Sequence, residues 1–105
     1  MTRVTLLRGA DGRLAGFTCK GHSGFAQAGS DIVCAAVSAL SITCANSLES
    51  VAGVSPETEE RDGYLSVRVP SDRMTHDAEI VLKVFEAGIT DIAATYPKHI
   101  QITTR

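Results

Sequence analysis

From Gly21 to Leu48 the chain carries a single formally charged residue, Asp31, and directly after it comes the apolar run Ile32, Val33, Ala35, Ala36, Val37, Ala39 and Leu40. This run predicts a helix from about Asp31 to Val51, ended by Gly53 just past the last apolar residue. Nearly its whole circumference is small or apolar, and a helix of that kind has to be covered on nearly all sides. A chain of 105 residues has material for one modest core and not for two, so a single domain is expected over 1–105. A two-layer domain of this size leaves one face of such a helix over. Either a second copy of the chain covers that face, or a second helix and the preceding loop flank it. Ser38, Ser41, Thr43, Asn46 and Ser47 interrupt the apolar segment 32–48, which is short for a bilayer, so it fits a buried helix better than a membrane span.

The remaining elements follow from alternation and turn chemistry. Thr2 to Leu7 and Leu14 to Lys20 read as strands joined through Asp11-Gly12, a strong hairpin signal. Glu57 to Glu60 and Tyr64 to Val69 form a second hairpin around Asp62-Gly63, with Leu65, Val67 and Val69 alternating against Tyr64, Ser66 and Arg68. A second helix is expected from Ser71 or Asp72 to Pro97, its apolar stripe formed by Ala78, Leu82, Phe85, Ile89 and Ile92. Lys98 to Thr104 makes a last strand. The order ββαββαβ predicts an α+β two-layer sandwich, one mixed five-stranded sheet covered by two helices.

A net charge of −2 argues against a free-standing nucleic-acid binder, because phosphate neutralisation needs a clustered basic face. The charges are nevertheless uneven. Arg3, Arg8, Arg13 and Lys20 dominate the first twenty residues, whereas Glu49, Glu57, Glu59, Glu60 and Asp62 dominate 49–62. A basic partner suits the acidic stretch, which can equally be a solvated edge. No basic segment followed by an apolar one opens the chain, so a cytoplasmic location without a membrane is expected. Cys34 and Cys44 are about 15 Å apart along one helix and cannot bridge.

The chemistry concentrates between Gly21 and Cys34, where His22, Asp31 and Cys34 are the titratable groups in an otherwise neutral segment. Ser30 and Asp31 are good helix N-caps. They place Cys34 in the first turn, where the macrodipole favours a thiolate and a nearby histidine would favour it further. A small buried hydrophobe is the other fate open to a free cysteine. Gly24 and Gly29 have the spacing of half a phosphate loop, but Ser30-Asp31 stands where Lys and Ser or Thr should follow, and the carboxylate would repel phosphate. Cys19, His22, Cys34 and Cys44 lack the paired spacing of a zinc site, so neither metal nor cofactor is implied.

Gly21-His22-x-Gly24-aromatic25, followed by Gly29-x-Asp31-Ile32-Val33-Cys34-Ala35-Ala36-Val37-Ser38, resembles the signature of the bacterial ribosomal-processing cysteine protease family, Prp. Length and element order agree along the whole chain. Ser23 stands where the family often has alanine, and Phe25 where tyrosine is frequent, which removes a hydroxyl. The resemblance implies a homodimer. It implies a cysteine endopeptidase with His22 as base and Cys34 as nucleophile, Asp31 and Ser38 in support. The implied substrate is the short N-terminal extension of a large-subunit ribosomal protein.

In this reading an acyl-enzyme forms on Cys34, and backbone N–H groups at the helix start or in the glycine loop meet the developing oxyanion. Asp31 either orients His22 or only caps the helix, and Ser38 bonds near the thiol or to its own backbone. Gly21, Gly24 and Gly29 make the loop one that should move and close over a peptide, with Phe25 inside it. Two other classes use the same residues: a non-catalytic module that binds a ribosomal protein, and a thiol acyltransferase.

Overall fold

The computed structural model describes residues 1–21 and 31–105. Its elements are β1 (Thr2–Arg8), β2 (Leu14–Lys20), α1 (Ile32–Ser50), β3 (Glu57–Arg61), β4 (Tyr64–Arg68), α2 (His76–Thr95) and β5 (Ile100–Thr104), with a 3-10 turn at Ser71–Arg73. The ββαββαβ order predicted above is the order found. The strands form one mixed sheet in the order β3-β4-β2-β1-β5, in which only β1 and β5 run parallel.

Both hairpins turn on a glycine in the left-handed region. Gly12 (φ 81) follows Asp11, whose Oδ1 accepts the Arg13 N–H at 3.0 Å. Gly63 (φ 70) follows Asp62 in a two-residue turn between the paired Arg61 and Tyr64. Gly16 is needed for another reason: a Cβ there would lie 2.2 Å from the Val67 carbonyl oxygen, so β2 and β4 approach this closely only with glycine.

Alternation along the strands turns Val4, Leu6, Phe17, Cys19, Val67 and Ile100 towards the helices and leaves the other face of the sheet to solvent. The α2 stripe Ala78, Leu82, Phe85 and Ile89 packs onto them, Phe85 stacking on Phe17 with ring centroids 3.9 Å apart, and Ile92 is half-buried. Five residues of α1, Val33, Val37, Ser41, Cys44 and Leu48, complete the core. By length and composition α1 is long and apolar enough to cross a membrane. Its buried residues recur every three or four positions, as they do on a helix laid against a core. It closes on Gly53 in the left-handed region (φ 68), whose N–H donates to Glu49 O at 3.0 Å, and Val54 N–H donates to Leu48 O at 2.8 Å.

Two boundaries depart from expectation. Helix α2 starts at His76 and not at Ser71 or Asp72, because Met74 and Thr75 are extended and Thr75 caps the helix by accepting the Ala78 N–H at 3.1 Å. Ser71 and Asp72, good caps by type, open only the 3-10 turn. The last strand begins at Ile100 and not at Lys98, after a turn in which His99 N–H donates to Tyr96 O.

Candidate active site

The N-terminal turn of α1 builds the site. Asp31 is its N-cap: Oδ1 accepts the Cys34 N–H at 2.9 Å, and its carbonyl accepts the Ala35 N–H at 3.2 Å. The Cys34 N–H is therefore committed to the cap. Among the described residues, the helix-start N–H groups with no acceptor within the helix are those of Ile32 and Val33.

Cys34 is half-buried, whereas Cys19 and Cys44 are buried. It lies on the wall of a cavity of about 180 Å³ between α1, the starts of β1 and β4 and the ends of β2 and β3. Val37, Ser38, Ser41 and Ile42 continue that wall along α1 at helical spacing. Ser38 is exposed and makes no hydrogen bond among the described residues, neither near the thiol nor to its own backbone. Gly21 anchors the other side. It sits at φ 85, donates to Gly63 O at 2.8 Å, and a Cβ on it would meet the Met1 carbonyl oxygen at 2.9 Å. His22, Gly24, Phe25 and Gly29 lie outside the described residues, so the structure brings together Gly21, Asp31, Cys34 and Ser38 of the predicted set.

Sequence reasoning missed the cavity floor. Ser41 donates to Val37 O at 2.7 Å, which uses its only proton, so the contact of 3.2 Å between Cys19 Sγ and Ser41 Oγ has the thiol as donor. Burial pushes the Cys19 thiol up. Burial also pushes Cys44 up, to about 12, with Cys19 adding to it. Both are thus held as neutral thiols. Thr2 Oγ1, on the same floor, is buried without a partner among the described residues. Apolar alternation marks Thr2 and Cys19 as inward-facing, but nothing local pairs Cys19 with Ser41.

The cysteine protease Prp family matches residues 1–101. The chain belongs to that family. It is therefore a cysteine protease by membership, and the sequence resemblance is upheld. The ribosomal processing cysteine protease Prp of Bacillus subtilis is 27% identical over 109 residues, covering 99% of this chain and 97% of that protein. The Prp protease of S. aureus, solved with a covalently linked product peptide, superposes with a TM-score of 0.92 at 22% identity, each chain fully covered. SMU.848 from Streptococcus mutans is 33% identical with a TM-score of 0.80, over all of this chain and 96% of that one. The S. aureus Prp structure thus shares this fold over its whole length.

Proposed function

We propose that this protease removes a short N-terminal extension from a large-subunit ribosomal protein, in the cytoplasm and as a homodimer. The observation that carries the catalytic part is the contrast among the three thiols: Cys34 alone is half-exposed, stands in the first turn of a capped helix and borders a cavity, while Cys19 and Cys44 are buried and held neutral. The ribosomal substrate is supported by the Bacillus subtilis relative, which is a ribosomal processing protease.

The Cys34 thiolate attacks the scissile carbonyl carbon, forming a C–S bond and a tetrahedral oxyanion. His22, protonated in the thiolate pair, gives its proton to the departing amine nitrogen as the C–N bond breaks. The thioester that remains is attacked by water, which loses a proton to His22. Collapse returns the thiolate and releases the peptide acid. Backbone N–H groups of Ile32 and Val33, or of the glycine loop, are the oxyanion donors, each worth about 3 kcal/mol in sites of this kind.

Dimerisation is supported by the outer side of the helical layer. Val51, Val84 and Ile80 are 71%, 65% and 44% exposed and border an apolar groove of about 310 Å³ between α1 and α2. The deciding experiment is incubation with ribosomal-protein precursors, with product masses read by mass spectrometry. Wild type should give one N-terminal cleavage, Cys34→Ser none, and His22→Ala a rate lower by about two to four orders of magnitude. Cleavage by Cys34→Ser at the wild-type rate would sink the mechanism, and intact precursors would sink the substrate.

A further inference from the structure

The sheet face turned away from the helices carries a charge pattern that the protease chemistry does not use. Ladder registers set Arg61, Tyr64, Lys20, Arg3 and Gln101 in one row across all five strands, at the end of the sheet that borders the Cys34 cavity. Arg3 stands directly opposite Lys20. Like charges opposed on an antiparallel ladder are destabilising, and neither cation has an ion pair among the described residues. From β4 to β5 this face holds no Asp or Glu: the next row is Ser66, Thr18, Thr5 and Thr103. The nearest carboxylates, Glu59 and Glu57 on the edge strand β3, are bound to Arg61 and Arg68.

The net charge of −2, which argues against nucleic acid for the chain as a whole, is thus a sum over surfaces of opposite sign. The trough on the open face measures about 400 Å³, and among the described residues Leu7 is the only aliphatic side chain that lines it. A protein partner would find little there, since protein interfaces are built around an apolar centre. Interfaces with nucleic acid are polar and positively charged. The row also contains an aromatic ring: the Arg61 guanidinium lies 4.1 Å over the Tyr64 ring, and ring-plus-cation stacks are what unpaired bases settle on.

We infer that this face docks single-stranded RNA, phosphates on Arg3 and Lys20 and a base against the Tyr64–Arg61 stack. Bound there, an RNA strand lies beside the Cys34 cavity and holds an RNA-associated substrate near the nucleophile. Only the choice of RNA over DNA rests on the ribosomal reading of the protease. The cross-strand repulsion is the stability cost of keeping two cations together for an anion.

The test is fluorescence anisotropy of a labelled RNA of roughly twelve unpaired nucleotides with the full chain, between about 50 and 200 mM salt, where neutralising about two phosphates lowers the affinity roughly sevenfold. Arg3→Glu should weaken binding at least about tenfold while raising the melting temperature, because the glutamate now faces Lys20. A rise in melting temperature excludes misfolding as the reason for lost binding. No saturation up to about 100 µM protein at low salt, unchanged affinity in Arg3→Glu, equal competition by polyglutamate, or tighter binding of the matching DNA would each overturn the inference. Peptide cleavage is read separately, so failure of the protease proposal leaves this result standing, and the reverse holds too.

Discussion

Asp31 is the residue whose two possible roles can be separated by a pair of substitutions. Its Oδ1 holds the Cys34 N–H at 2.9 Å, so Asp31→Ala leaves the N-terminus of α1 without its cap. The loss of such a cap costs about 1 kcal/mol, which lowers the melting temperature of a domain this size by about 5 °C. Turnover falls with it, because Cys34 sits in the turn that frays. Asp31→Asn puts an amide oxygen in the same place without the charge, and asparagine caps as well as aspartate. If capping is the whole of its role, the Asn variant regains the melting temperature to within about 2 °C and regains kcat/KM. Circular dichroism melts and initial rates on a fluorogenic peptide measure both quantities. An Asn variant with wild-type stability but kcat/KM down by about a hundredfold would refute the capping account and assign Asp31 to orienting His22. An Ala variant that melts as wild type would refute the cap itself.

Iodoacetamide on the native chain at neutral pH should modify Cys34 and spare Cys19 and Cys44, with peptide mass mapping as the readout; equal rates at all three would remove the contrast on which the nucleophile rests. Folding stability should fall from about pH 9 upwards, because the unfolded Cys44 thiol ionises near its ordinary value of 9.0 while the folded one keeps its proton to about 12. In that window the folded state binds more protons, so each pH unit costs up to about 1.4 kcal/mol. Urea midpoints that decline equally in wild type and Cys44→Ala would contradict this. Sedimentation at micromolar concentration should give twice 11.1 kDa, and Val84→Glu, which puts a charge in the apolar groove, should give the single mass. A wild type that sediments only as the single mass would remove the dimer.

Local chemistry was readable from the chain because its causes are local. Asp11-Gly12 and Asp62-Gly63 turn where glycine supplies the left-handed backbone, and the Gly53 stop and the Asp31 cap bound α1 through bonds a few residues long. Cys34 in the first helical turn follows from that cap. The start of α2 departs from expectation for a local reason as well: Ser71, Asp72 and Thr75 are all competent caps, and Thr75, whose cap sets Ala78 in the core, is the one that opens the helix.

What the sequence by itself determined, then, is each element, its buried face and the placing of Cys34 at a helix start, since these depend on periodicities of two and of three to four residues and on caps. The tertiary structure alone decided the strand order β3-β4-β2-β1-β5, the contact between Cys19 and Ser41 behind the cavity, and the row that joins Arg61, Lys20 and Arg3. Those contacts link residues far apart in the chain, and which strand lies beside which is settled by how two helices and five strands bury one shared core, a condition that no short stretch of sequence contains.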